Sequence, residues 1–310
     1  KSCIRNTELL NEGVHIALTK SKIKFIRDNW IMKRTSSELE HMALMFPTDQ
    51  WNLLLCLLHL KPSDLSLSWF ASYIIDGLIP ENSLIGIHNQ ITSDNIKQMV
   101  VTHKLPYNCL KMTCDNLLTI DVKHIILSYT DTNLILKHIE DFNDEKSLEI
   151  LYGKLATEEL NMPYGELMKR IQMLKETNAF PNILSKLLEI AENKLSRYHI
   201  LLNSFATSSK EIGQSIVVLG DASASMDMAI KTSSIITSIL VKLWNAKMHL
   251  FRGIDEPITE TPTNVRDVID MMDKFKANGT TAPSASLYPY YDKKEIVTRF
   301  ILVTDEEENY

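Results

Sequence analysis

The sequence predicts two architectures in one chain: an all-α helical-repeat region, then an α/β region built on a parallel sheet. Three observations carry this. Across residues 36–205 one helical pattern follows another, broken by short polar turns, with no run of strand type. Residues 206–210 (ATSSK) turn small and polar, as a linker does, and beyond them apolar runs at 216–219, 247–251 and 299–304 alternate with helical stretches. The first of those runs, β-branched and closed by Gly220, suits a strand buried on both faces.

Residues 1–35 read as an irregular basic segment, in which Lys20, Lys22, Lys24, Arg27, Lys33 and Arg34 interleave with Phe25 and Trp30. Basic residues among aromatics can grip phosphates and stack bases; a solvated face over two buried aromatics is the other reading. Ser37-x-x-Glu40 offers a capping box for a helix running to Phe46. Residues 51–60 follow, opened by Thr48-Asp49 and closed before Pro62, and their apolar setting places Cys56 in the core. Further helices are expected over 63–78, over 82–91, over 93–103 with Ser93 or Asp94 as cap, and briefly after Pro106. Those at 121–129, 131–141 and 144–160 begin at acidic or Thr caps, and those at 163–177 and 181–205 start with proline near N1, where its missing N–H costs nothing. Such a series suggests stacked antiparallel helix pairs, which offer a long surface to protein or RNA.

In the second region, 226–243 fits a helix with Ile230, Ile235, Ile239 and Leu240 on its apolar side and its Ser and Thr pairs facing out. A second strand at 247–251, a polar loop at 255–264 and a helix at 265–276 come next. Tyr288, Tyr290 and Tyr291 around Pro289 read as packing residues, with an aromatic rim as the other reading. Three strand patterns bring the chain to Asp305. Covering the far side of a parallel sheet takes about two more strands, so further chain is expected beyond Tyr310.

Bulk properties bound the function. The 310 residues suggest about two domains, and 45% hydrophobic and 23% charged content is ordinary for a globular chain. Net charge is −6, with Lys+Arg 22 against Asp+Glu 24 before residue 200 and 11 against 15 after. Neither part carries the overall positive charge typical of a nucleic-acid binder. Cys3, Cys56, Cys109 and Cys114 have no metal-type spacing and read as reduced thiols in a cytoplasmic, intracellular setting. The apolar stretch 51–60 is too short to span a bilayer, and no membrane partner is expected.

The chemistry concentrates in residues 212–226, IGQSIVVLGDASASM. Ligands of open α/β sheets bind beyond the carboxyl ends of the strands, where this run delivers Asp221, Ser223 and Ser225. The turn Asn278-Gly279-Thr280-Thr281 adds hydroxyls, and the strand at 299–304 ends at Asp305. Hard oxygen donors of this kind suit Mg²⁺. A plain strand-to-helix loop with N-capping Asp and Ser is the alternative.

This set, Asp221-Ala-Ser223-Ala-Ser225 with Thr280 and Asp305, resembles the metal-ion-dependent adhesion site (MIDAS) of von Willebrand factor A domains, which have a Rossmann-like α/β fold. The resemblance implies that Ser223, Ser225 and Thr280 approach Mg²⁺ (or Mn²⁺ or Ca²⁺), and that Asp221 and Asp305 act directly or through water. It implies an open position completed by an acidic residue of a protein partner, and Glu307 is a candidate second-layer orienter. A helical array followed by such a domain is also similar to the TROVE-containing Ro family, which joins a ring of HEAT-like repeats to an A-type domain and binds small noncoding RNAs. That likeness rests on domain order and the DASASM loop.

The expected organisation is a basic segment at 1–35, a helical-repeat domain at 36–205 and an A-type domain at 211–310, incomplete at its C-terminus. The expected function is a non-enzymatic scaffold that binds a protein partner through the metal. Ro-like binding of small structured noncoding RNA is the alternative, and a metal-dependent phosphohydrolase the second alternative. A phosphatase built on Asp221 would want a second Asp two residues on as general acid, where Ser223 stands. A hydrolase Ser223 would want the Gly-x-Ser-x-Gly elbow, where the sequence reads Asp-Ala-Ser-Ala-Ser. No catalytic residue is assigned.

Overall fold

The computed structural model describes residues 19–45, 48–178, 180–205, 215–253, 255–257 and 261–304. The chain divides into two compact units, Lys1–Asp131 and Thr132–Tyr310.

The described residues of the first unit form helices without strands: α1 (Lys20–Ile26), continued by a π turn over Arg27–Ile31, α2 (Ser36–Met45), α3 (Thr48–Leu58), α4 (Phe70–Asp76), α5 (Leu84–Asn89), α6 (Ile96–His103), α7 (Tyr107–Cys114) and α8 (Ile120–Tyr129). One core cluster gathers Leu39, Trp51, Leu54, Leu58, Phe70 and Ile85, with Trp51 and Phe70 edge to face at 4.9 Å. Each such side chain contributes about 1.5–3 kcal/mol on leaving water.

Several local expectations change here. Residues 20–31 are helical rather than irregular. Thr19 accepts the Lys22 N–H at 3.3 Å, and Ile23, Ile26, Trp30 and Ile31 recur on the side that packs against the core. Lysine is a good helix former, so a basic composition does not oppose the helix. The capping box is Thr35 with Glu38: Thr35 N–H donates to Glu38 at 2.9 Å and Glu38 N–H to the Thr35 hydroxyl at 3.2 Å. Glu40 instead accepts the Leu84 N–H at 2.6 Å and holds the start of α5. Cys56 is exposed, because Trp51, Leu54, Leu55 and Leu58 take the inward stripe of α3. Only Phe70–Asp76 of the 63–78 stretch is α-helical, after a 3₁₀ turn at Pro62–Asp64. Asn95, not Ser93 or Asp94, is the cap residue of α6.

The second unit runs α9 (Thr132–Lys137), α10 (Glu145–Thr157), α11 (Tyr164–Glu176), α12 (Pro181–Phe205), β1 (Ile216–Asp221), α13 (Asp227–Trp244), β2 (Lys247–Phe251), β3 (Asp255–Pro257), α14 (Val265–Lys274), α15 (Pro283–Asp292) and β4 (Arg299–Val303). Asp144 caps α10 by accepting the Ser147 N–H at 3.0 Å. The sheet order is β3-β2-β1-β4. Central β1 is parallel to both neighbours, with Val218 opposite Met248 on one side and Ile301 on the other. β3 is a short antiparallel edge in a stretch that reads as loop. Every residue of β1 is buried, as its continuous apolar run predicts.

The two faces of the sheet have separate cores. Ala222, Ile230, Met248, Leu250 and Met271 pack on the side of α13 and α14, and Val217, Leu219, Phe251 and Tyr290 on the side of α15. Four Ser and Thr residues of α13, expected outside, are inside: Ser233, Ser234, Thr237 and Ser238 are fully buried. Each hydroxyl donates to a carbonyl one turn back in its own helix at 2.7–3.0 Å, which removes the penalty of about 1–3 kcal/mol for a buried unsatisfied group. Small side chains let α13 lie close to β1, where a Cβ at Gly220 would come 2.4 Å from the Ser233 hydroxyl oxygen.

Helices α11 and α12 pack with this sheet unit. Gln172 and Lys175 donate to Asp273 of α14 at 2.7 and 2.6 Å, and Glu192 accepts the Val265 N–H at 2.8 Å. Burial raises the Asp273 pKa, but Lys175 and Gln172 outweigh it and hold the carboxyl below its usual range. Burial also pushes the Tyr164 hydroxyl, 3.3 Å from Ser238, up to about 12. No helix among the described residues is long and apolar enough to cross a membrane.

Candidate functional site

β1 ends by handing Asp221 into a loop whose backbone is fixed from several directions. Asp221 is fully buried. One carboxylate oxygen accepts the Ser223 N–H at 2.9 Å and the other the Thr304 hydroxyl at 2.8 Å, so the ends of β1 and β4 are joined through this side chain. The Ala222 N–H donates to the Phe251 carbonyl at 2.8 Å, which ties the loop to the end of β2.

The turn at 277–280 lies against the same loop. Asn278 N–H donates to the Ala222 carbonyl at 2.8 Å, and Ala224 N–H to the Gly279 carbonyl at 3.1 Å. Ala277 N–H donates to Asp227, the first residue of α13, at 2.9 Å. Gly279 supports the turn with φ +84, a conformation costly for a residue with a side chain. Three segments far apart in sequence thus meet at one edge of the sheet.

Of the residues expected there, Asp221 and Ser223 are buried, while Ser225 and Thr280 are exposed. The hydroxyls of Ser223, Ser225 and Thr280 make no hydrogen bond to any other described residue. Asp305 and Glu307 lie outside the described residues. Among the described residues no three His, Cys, Asp or Glu gather as a metal cluster, so a cation here would be held through hydroxyls and one described carboxylate. These are the hard oxygen donors that Mg²⁺ or Ca²⁺ takes, and the donor set fits such an ion. Sequence reasoning passed over Thr304 and Asp227. The position of Thr304 at the end of a strand pattern, and of Asp227 in a first helical turn, was the available signal.

The six basic residues near the N-terminus separate into two groups. Lys20, Lys22 and Lys24 are exposed on α1 and make no ion pair with a described residue. Phe25 beside them is 67% exposed. Arg27 pairs with Asp28 at 2.8 Å, a bond that raises its pKa. Lys33 donates to Asn29 at 3.0 Å. Arg34 pairs with Glu38 at 2.9 Å and donates to the Trp30 carbonyl at 3.1 Å. These three have internal partners, and the first three have none among the described residues.

Together the fold and the sheet edge define a class: a helical array followed by a small α/β sheet unit whose first strand ends in an Asp-x-Ser-x-Ser loop. Among solved structures the chain is similar to the crystal structure of the Ro (RSR) protein of Deinococcus radiodurans, with a TM-score of 0.55 and 12% identity, over 97% of this chain and 66% of that one. The chain therefore has a Ro-like fold and spans just under two thirds of the length of that structure. No family model matches the sequence. No curated protein matches it.

Proposed function

We propose that this chain is a Ro-like, non-catalytic binding protein that holds a small structured noncoding RNA in a cytoplasmic ribonucleoprotein. The observation that carries the reading is the fold shared along 97% of the chain; the class of RNA is what resemblance to the Ro family implies. The exposed lysines of α1 support it. Lys20, Lys22 and Lys24 have no partner among the described residues to give up, and Phe25 beside them offers a ring face, the combination that grips phosphates and stacks an unpaired base. Arg27 and Arg34 would first have to leave their carboxylates. The test is retention of structured small RNA on the purified chain. Retention should fall with salt, ignore EDTA, and weaken in Lys22→Gln and Lys24→Gln. RNA retention that survives high salt, or that both lysine variants leave unchanged, refutes it.

The sheet edge supports a second reading. The Asp221 loop and the Thr280 turn are fastened to each other while three hydroxyls stay without partners among the described residues. In this reading residues 211–310 form a von Willebrand A-type domain, and Ser223, Ser225, Thr280 and Asp221, with Asp305, hold Mg²⁺ or Mn²⁺, which supplies an electrophilic position for an acidic residue of a partner protein. Such binding disappears with EDTA or in Ser223→Ala and persists after RNase. The two readings concern different units and are separable in one pull-down.

A further inference from the structure

The second unit has a cavity away from the sheet edge. The exposed side of α10 and the residues that open α12 border an open-sided space of about 440 Å³, within the range of small-ligand sites. Glu145, Glu149 and Tyr152 stand at i, i+4 and i+7 on α10 and so share one helix face. Phe180, just before the first turn of α12, lines the cavity with them, and Leu148 and Ile183 add aliphatic wall.

Two features separate this place from an ordinary solvated surface. Elsewhere in the unit the exposed glutamates find partners: Glu158, Glu159, Glu166, Glu176 and Glu189 each pair with a Lys or Arg. Glu145 and Glu149 pair with no described cation, and they face a concavity that also holds two aromatic rings. Phe180 takes that place with φ +57, in the left-handed region that a residue with a side chain seldom occupies.

We propose that this cavity binds an organic cation, an alkyl-ammonium or guanidinium group on an aliphatic stem. The carboxylates of Glu145 and Glu149 supply the opposite charge. Tyr152 and Phe180 offer ring faces to the cation, and Leu148 and Ile183 take the stem, as apolar surfaces do for long basic side chains. Two carboxylates with no described counter-cation repel phosphate, so the site is independent of the RNA reading and would fail or stand separately from it.

The test is ligand-observed saturation-transfer NMR on the full chain with four probes: agmatine, choline, the peptide acetyl-Gly-Arg-Gly-amide, and 3,3-dimethylbutan-1-ol as the neutral isostere of choline. The cations should take up saturation and the alcohol should not. The signal should vanish in Glu145→Gln/Glu149→Gln, weaken about two- to fivefold in affinity in Tyr152→Ala, and survive in Tyr152→Phe, which keeps the ring. The substituted side chains are exposed, and circular dichroism should report an unchanged fold. Binding of the peptide alone assigns a partner's basic side chain as the occupant, and binding of agmatine or choline as well admits free amines. Saturation of the alcohol equal to choline, an unaltered signal in the double glutamine variant, or no cation binding at all overturns the proposal.

Discussion

Gly220→Ala tests the packing that sets the position of the Asp221 loop. A methyl group there would sit 2.4 Å from the Ser233 hydroxyl oxygen, 2.9 Å from its Cβ and 2.8 Å from a Leu250 methyl, where ordinary carbon contacts are about 3.5–4.0 Å. The Leu250 methyl can rotate away, but the Ser233 Cβ is fixed to α13. The helix must therefore lift from the sheet by roughly an ångström, at the usual overpacking cost of about 1–3 kcal/mol. Ser233→Ala removes the nearest atom and gives up one bond to the Ile230 carbonyl, about 0.5–1.5 kcal/mol. In the double variant the alanine at 220 should cost at least about 0.5 kcal/mol less than it does alone, a coupling typical of residues in contact. Calorimetry is the assay, with about 2–4 °C of Tm for each kcal/mol in a unit of this size. Gly220→Ala within about 0.3 kcal/mol of the parent, or strict additivity with Ser233→Ala, would refute the close approach of α13 to β1.

In the first unit, a Cβ at Gly86 would lie 2.3 Å from the Pro80 carbonyl oxygen and 2.6 Å from that of Glu81. Backbone cannot step aside as a side chain does, so Gly86→Ala should cost about 3 kcal/mol, at the top of the overpacking range, by urea unfolding. Each of Lys22→Gln and Lys24→Gln should lower the slope of log affinity for RNA against log salt by about 0.7–0.9, one phosphate contact's worth. Ser223→Ala should abolish Mn²⁺ binding read by electron paramagnetic resonance, with RNA retention unchanged. Asp267 and Asp273 have folded pKa values below the ordinary range: burial raises both, and hydrogen bonds from Thr263 to Asp267, and Lys175 and Gln172 at Asp273, more than offset it. Their stabilisation is present above about pH 4, the unfolded value, and is lost as pH falls through the folded value. Asp273→Asn should flatten that acid limb in thermal melts.

The parts of the fold that sequence made legible are those where burial alone decides the pattern. The runs at β1, β2 and β4, and the helices α10, α11 and α12, which start at or just after Asp144, Pro163 and Pro181, needed nothing beyond apolar period and caps. Misreadings arose where a polar residue solves its bonding inside its own element. Ser233, Ser234, Thr237 and Ser238 look like an outer face by polarity, and only their back-bonds to the helix make burial affordable. A choice between equivalent signals was the second source: Thr35-x-x-Glu38 and Ser37-x-x-Glu40 both spell a capping box, and the tertiary partner Leu84 decides that Glu40 serves elsewhere. β3 is three residues at a sheet edge with a proline, too short for any alternation to show. At the sheet edge two backbone hydrogen bonds bring the Asp221 loop and the 277–280 turn together. The bond from Thr304 and the tether at Asp227 did not show in advance, because neither type nor spacing marks a residue that fastens others.

The fastening of the 277–280 turn to the Asp221 loop has an energetic consequence. Ordering a free four-residue turn at the moment of association would cost about 1–2 kcal/mol of chain entropy per residue. Here Asn278, Ala224 and Ala277 already hold their acceptors, so the freedom left to quench is mainly the rotation of a few hydroxyl-bearing side chains. A loosely bound occupant can then come and go without remaking the backbone beneath it, and amide exchange at those three positions should be slow whether or not one is present.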